Sequence, residues 1–232
     1  MLKEDIKALT FDTGGTILDW HTGFKNGFET LKKKYNFDYE SSKMANLMRK
    51  KSLSLVTSQK EKELINFDIA HQRAVNEINN EFKLGLSDDD KLYLYYTVPC
   101  KLNAWKDFKN SFLSLKEKFL CVSFTLLSNR LVFKNSKYNK ISWDLILSCE
   151  TLEIYKPDIS AYLKTSGLLQ IDSSACAMVA CHCFDLNAAK KAGFKTIFVK
   201  RLKEWGEDTE INIAGDYDLI VEDFNELKES LC

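Results

Sequence analysis

The sequence has no surplus of either charge: 33 lysines and arginines balance 33 aspartates and glutamates over 232 residues. A nucleic-acid binder draws its affinity mainly from neutralising phosphates, so the missing basic excess argues against that class of partner. Binding to an anionic membrane surface loses support for the same reason. No stretch approaches the ~20 consecutive apolar residues of a membrane helix. Residues 1–7 alternate charge and apolarity, without the apolar stretch of a signal peptide. A cytoplasmic location is therefore expected. There is no Cys-x-x-Cys pair, and seven cysteines are an odd number, which speaks against a disulfide framework or a zinc knuckle. Internal repeats and low-complexity segments are also missing.

What remains is a chain with 45% apolar residues, long enough to bury about 70% of its unfolded surface in one large domain or in a core with an inserted lid. Short apolar, β-branched runs at residues 6–11, 119–127, 143–147, 175–180 and 196–199, with a weaker one at 219–221, read as buried strands. Helical patterns fall between them at 158–168, at 186–192 closed by Gly193, and at 225–231. Strands alternating with helices predict an α/β fold: a parallel sheet flanked by helices, with its ligand crevice at the carboxyl ends of the strands. Residues 20–99 differ. They hold no strand-like run, and Leu64, Phe67, His71, Val75, Ile78 and Phe82 recur every three or four residues, as on one helical face. This stretch reads as a helical insert, with a helix start near Ser87 and a return to the main body near Pro99.

Polar residues gather where the predicted strands end. The first run delivers Asp12 into Thr13-Gly14-Gly15-Thr16, a turn whose glycines permit a positive φ or a close backbone approach. Later ends supply Ser128 with Asn129, Lys156 before Pro157, and His182 with Asp185. Each has an ordinary explanation: an Asx turn at Asp12, helix caps at Ser128, Asn129 and Asp185, a surface charge at Lys156. Together they place two carboxylates, a hydroxyl and an ammonium at one crevice, which fits a carboxylate nucleophile with its supporting cation. Cys181, His182 and Cys183 suggest a metal, but alternation along an extended strand end would point them to opposite faces, so no metal is expected. His21 and His71 are expected only to pack or to face solvent.

Phe11-Asp12-Thr-Gly-Gly-Thr16, Leu127-Ser128-Asn129, Tyr155-Lys156-Pro157-Asp158 and the stretch from Met178 through His182 and Asp185 to Gly193 resemble the four ordered motifs of the haloacid dehalogenase superfamily. The type II branch is the most similar, and Glu204-Trp205-Gly206 resembles what often follows its last motif. The likeness spans nearly the whole chain. It implies a Rossmann-like core, residues 1–18 and 100–232, with a helical cap at 19–99. It also implies hydrolysis through a covalent ester on Asp12. The superfamily's phosphatases carry a second aspartate two residues after the nucleophile as general acid and base; here Gly14 stands there and has no proton to give. Cys181 lies four residues before Asp185, where phosphatases commonly place a magnesium-binding carboxylate, and a thiol is a poor ligand for that hard cation.

Both departures suit loss of halide, a stable anion that needs no general acid. The resemblance therefore implies metal-independent, cofactor-free dehalogenation of a short 2-haloalkanoic acid to the 2-hydroxyacid. Lys156 would keep Asp12 ionised, Asp185 would partner Lys156 and the hydrolytic water, and Thr16 and Ser128 would hold the nucleophile and the substrate carboxylate, with Thr13 and Gly14 also at the substrate. Arg49 resembles the cap arginine that receives the halide, with Asn129 beside it, and Phe67 resembles an aromatic lining that pocket. Tyr162 matches a tyrosine near the family's site. The bland alternatives are an exposed cation at Arg49, a core residue at Phe67 and a half-buried helix residue at Tyr162. His182 replaces the asparagine of the well-studied dehalogenases and matches the histidine of other type II members; it would orient or activate water, or sit neutral against a backbone carbonyl. The resemblance leaves a homodimer open, since the family is often dimeric. The alternatives are a magnesium-dependent phosphatase-like hydrolase using His182 as a substitute acid, and a non-catalytic binder of small carboxylates.

Overall fold

The structure, a computed structural model, describes residues 2–59, 64–207 and 211–232. The expected insert includes residues 60–63, which lie outside the described residues. After a short helix α1 (Leu2–Asp5), the first strand β1 (Ala8–Phe11) is buried along its whole length. Four helices follow: α2 (Trp20–Tyr35), α3 (Ser41–Thr57), α4 (Phe67–Glu81) and α5 (Asp88–Leu92). A π turn (Tyr93–Thr97) and a 3-10 turn (Val98–Cys100) lead back to α6 (Lys106–Lys118). The rest alternates: β2 (Leu120–Thr125), α7 (Asn129–Asn139), β3 (Leu145–Ser148), α8 (Cys149–Leu152), α9 (Ile159–Leu169), β4 (Cys176–Ala180), α10 (Cys183–Lys191), β5 (Lys195–Val199), β6 (Leu219–Val221) and α11 (Phe224–Leu231).

All six expected strands form, and they pair in one parallel sheet in the order β3-β2-β1-β4-β5-β6. The chain runs outward from β1 to β3, then returns to the other side of β1 with β4. That reversal opens a crevice beyond the carboxyl ends of β1 and β4, where an open α/β sheet binds its ligand. Phe11 anchors the sheet, its ring lying 5.5 to 6.3 Å from those of Trp143, Phe108, Phe224 and Phe112. No helix among the described residues is long and apolar enough to cross a membrane.

The insert is a helical cap. Its two connections to the core lie side by side: Leu18 bridges Ala104 in antiparallel fashion, Asp19 N–H donates to Asn103 O at 2.9 Å, and Trp105 N–H donates to Ile17 O at 2.8 Å. The apolar stripe is shorter than its sequence pattern. Asn66 caps α4 by accepting from Ile69 N–H, so Leu64 precedes the helix and is 43% exposed, while Phe82 follows it at 45%. Phe67, His71, Val75 and Ile78 form the buried face. Ser87 caps α5 as expected.

Candidate active site

Asp12 leaves β1 with its backbone N–H still bound to Val179 O of β4, so the sheet itself aims its carboxylate into the crevice. Lys156 Nζ, fully buried, meets Asp12 Oδ1 at 3.1 Å, Asp185 Oδ2 at 2.5 Å and Phe124 O at 3.1 Å. The surface-charge alternative for Lys156 is excluded by this burial. Thr16 Oγ1 accepts from Cys181 N–H at 3.0 Å and donates to Asp12 Oδ2 at 2.8 Å, a carboxylate oxygen being a far stronger acceptor than Cys181 Sγ at 3.4 Å.

Burial favours the neutral form of Asp12. The Lys156 ammonium, His182 and the Thr16 hydroxyl outweigh it and hold the carboxyl well below the usual carboxylate range. Burial likewise opposes charge on Lys156, but Asp12 and Asp185 raise it above the ordinary lysine value. Burial raises Asp185 in spite of Lys156. Of the two carboxylates sharing that ammonium, Asp12 is therefore the one kept most firmly ionised.

Helix α10 begins three residues earlier than its pattern suggested. Its N-cap is His182, and Asp185 sits buried in the first turn rather than capping it. No side-chain capping bond marks that start, because both His182 ring nitrogens are engaged in tertiary contacts with Asp12 and Glu204. Tyr162 is fully buried on α9, not half-buried, and its hydroxyl donates to Asp185 Oδ1 at 2.6 Å. Asp185 thus positions Lys156 and is itself positioned by Tyr162.

His182 is not satisfied by a backbone carbonyl. Its Nδ1 lies 3.1 Å from Asp12 Oδ2 and its Nε2 2.8 Å from Glu204 Oε1. Glu204, in the loop after β5, is 6% exposed and accepts from Trp20 Nε1 at 3.0 Å. Burial raises its carboxyl, but His182, Arg49 and Trp20 outweigh burial and lower it. Glu204 was not singled out as a site residue from the sequence; the signal that pointed toward it was the Glu204-Trp205-Gly206 run. Gly15 makes the approach possible: its φ is +99°, and a Cβ there would stand 2.3 Å from Glu204 Oε1.

The alternation expected of Cys181, His182 and Cys183 does not hold, because β4 has ended at Ala180. Cys181 Sγ and His182 Nε2 face the same way, 3.5 Å apart, while Cys183 turns to Asn212 O and Ala214 N–H. Cys181, His182 and Glu204 bring three ligand-capable atoms within 4.8 Å of one another. Ligands about 2.0 Å from a tetrahedral zinc lie roughly 3.3 Å apart, so the 2.8 Å between Nε2 and Oε1 suits a shared proton better than a metal.

Across the crevice, α3 delivers Arg49, buried rather than exposed. Its Nη2 donates to Gly14 O at 3.0 Å, and its Nε has no hydrogen-bond partner among the described residues. The guanidinium lies 5.4 Å from the Trp20 ring and 5.7 Å from that of Phe67. Phe67 is both core and lining. Asp12, Gly14, Arg49, Phe67, Thr125, His182 and Phe184 share the wall of a cavity of about 10 Å³ with Leu53, Leu126 and Leu127, which is room for about one water.

Three expected placements differ. Ser128 caps α7, and its hydroxyl donates to Asp68 Oδ2 on the cap at 3.0 Å, where Arg130 also binds. The Asn129 side-chain oxygen accepts from Thr151 at 2.7 Å, and Asn129 does not share the wall of the cavity that Arg49 lines. Thr13 faces Thr125, their hydroxyls 2.5 Å apart, and so braces the turn. In the cap, His21 bonds Ser42 and His71 packs edge-on against Phe24 and Phe67. All seven cysteines are unpaired thiols.

No family model matches the chain. A Burkholderia cepacia protein, (S)-2-haloacid dehalogenase 4A, is 26% identical over 209 residues, covering 85% of this chain and 84% of that one. The L-2-haloacid dehalogenase PA0810 superposes with a TM-score of 0.89 at 23% identity, covering 98% of this chain and all of the other. A Xanthobacter autotrophicus L-2-haloacid dehalogenase, solved with chloropropionic acid covalently bound, superposes at 0.82 with 15% identity and 97% of both chains covered. The chain is therefore similar in sequence to a 2-haloacid dehalogenase and has the fold that the four motifs implied.

Proposed function

We propose that this protein hydrolyses the carbon–halogen bond of a short 2-haloalkanoic acid, giving the 2-hydroxyacid through an ester on Asp12 and without a divalent metal. The observation that carries the reading is the pairing of an ionised, buried Asp12 with an under-used Arg49 guanidinium in the wall of one small cavity. Nucleophilic displacement needs a carboxylate on one side of the carbon and an anion receiver on the other. Asp12 Oδ2 already accepts two hydrogen bonds, from Thr16 and His182, while Oδ1 accepts one from Lys156. Oδ1 is accordingly the attacking atom. Phe67 and Leu53 exclude water from the departing halide, and desolvation strengthens both electrostatic contacts.

A magnesium phosphatase fits less well. Gly14 cannot supply a proton to an alkoxide, and the Asp185 oxygens that would bind the cation are taken by Lys156 and Tyr162. The covalently loaded Xanthobacter relative supports the ester route for this fold. The test is halide release from chloroacetate and 2-chloropropionate with excess chelator, beside an aryl-phosphate assay with magnesium. Halide release that survives the chelator is expected. Single turnover in heavy-oxygen water should then place solvent oxygen in Asp12. Aryl-phosphate hydrolysis without halide release would transfer the site to the phosphatases. Thermal stabilisation by haloacid with no product from either assay would make the protein a binder of small carboxylates.

A further inference from the structure

We infer that His182 acts in the second half of this reaction as a charged hydrogen-bond donor to the carbonyl oxygen of the Asp12 ester, and that Glu204 is the positioning residue that keeps it charged. The inference rests on the proposed ester route and assigns what breaks the ester down.

Geometry carries it. Both ring nitrogens of His182 face carboxylate oxygens, Nδ1 toward Asp12 Oδ2 and Nε2 toward Glu204 Oε1. An ionised carboxylate only accepts, and a neutral imidazole donates from one nitrogen alone. Satisfying both bonds requires the imidazolium, which then has no lone pair with which to act as a base. Burial by itself lowers the imidazole; Cys181, Glu204 and the bond to Asp12 outweigh it and hold the group well above the ordinary histidine range. Burial pushes the Cys181 thiol up, leaving it uncharged near neutrality, so the two carboxylates provide the stabilisation that operates there. Among the described residues, the other charged groups lining the cavities beside the ring are Arg49, across the small cavity, and Arg201, in a second cavity of about 260 Å³, and Lys156 stands on the other oxygen of Asp12. All three disfavour the imidazolium, so Glu204 is needed most once Asp12 has been alkylated and its charge is gone.

The bond changes then balance as follows. Asp12 Oδ1 bonds to C2 as the carbon–halogen bond breaks, and halide leaves with the electron pair. Water adds its oxygen to Cγ, and negative charge gathers on Oδ2, where the Thr16 hydroxyl and the His182 Nδ1–H already point. These two donors form an oxyanion hole built around the nucleophile's own second oxygen. The water's proton ends on the alkoxide oxygen of the 2-hydroxyacid as the Cγ–O bond breaks. Asp12 returns as a carboxylic acid and loses its proton to solvent. His182 stays protonated throughout.

The test separates the two half-reactions by rapid quench, following halide release and the mass of the Asp12 adduct. His182→Ala should leave the halide burst within about threefold while slowing ester breakdown by roughly 10²-fold, the usual cost of one oxyanion donor. His182→Asn, which keeps a donor without the charge, should recover part of that loss and lose any alkaline limb. Glu204→Gln keeps the bond to Trp20; it should move the fall of ester breakdown at alkaline pH to lower pH and lower kcat there with little change in KM. Histidine nitrogen NMR on the same protein should show both His182 nitrogens protonated at pH 8, and the midpoint lowered in Glu204→Gln. Ester breakdown that rises with pH through the His182 titration would overturn the inference, as would a His182 titration indifferent to Glu204→Gln. Absence of a halide burst and of any Asp12 adduct in the unaltered protein would instead overturn the ester route, while the NMR readout would still report on the Glu204 contact.

Discussion

The core lysine and the cap arginine are both buried cations at the Asp12 site, and they are built differently. Lys156, from the core, has its ammonium bound by two carboxylates and a carbonyl. Arg49, from the cap, donates one hydrogen bond to Gly14 O and leaves Nε without a partner among the described residues. The first is part of the folded core and would be costly to remove. The second holds a donor in reserve, which an incoming anion can satisfy. A buried, unpaired donor costs free energy in the empty state, and on the proposed reading that cost is recovered when halide forms opposite Asp12.

The comparison can be broken in order of effect. Asp12→Asn should abolish turnover, and Lys156→Met should nearly do so while also destabilising the fold by about 3–5 kcal/mol, because two buried carboxylates lose their counter-charge; denaturant melts and halide assays measure the two losses together. Arg49→Gln should lower kcat/KM by roughly 10²-fold with a much smaller loss of stability. If its melting shift matched that of Lys156→Met, the distinction between the two cations would be lost.

A third test concerns His71, buried on α4 within the cap. Burial, then Arg49 and Arg130, lower it to about 3. Between that value and an ordinary histidine value the unfolded chain binds a proton that the folded chain refuses. Stability should therefore fall as pH drops from about 6.5 toward 3, by an amount on the order of a few kcal/mol, and His71→Leu should flatten the slope. Equal acid sensitivity in the two proteins would place the effect elsewhere. The smallest effect is expected at Asn129→Ala, where the side chain serves Thr151; KM should change by less than about threefold, and a tenfold rise would return Asn129 to the halide pocket.

Much of the sheet was legible because its strands are buried on both faces, so β1 and β4 appear as short runs rich in apolar and β-branched residues, closed by polar ones. The Asp12, Lys156 and Asp185 cluster was legible for a related reason: each follows a recognisable run, and parallel strands bring such ends together. The helix after β4 was misjudged because its start is set by a histidine whose side chain is spent on tertiary contacts, which no local pattern records. Ser128 carries both a capping signal and a catalytic resemblance, and only the fold shows Asp68 reaching it from the cap. Glu204 depends on a loop folding back onto Gly15 and Trp20, a meeting of distant segments that sequence periodicity does not encode.

The paired connections at Leu18 and Ala104 bear on how anything reaches Asp12. Two segments hydrogen-bonded to each other resist bending independently, so on the proposed reading the lid they carry should pivot about a single axis, as a door does on one side of its frame. A chamber with room for about one water must widen along that swing to admit a guest. The far edge of the lid, where Asn66 and Asp68 hold Glu150, Ser128 and Arg130, then serves as its catch.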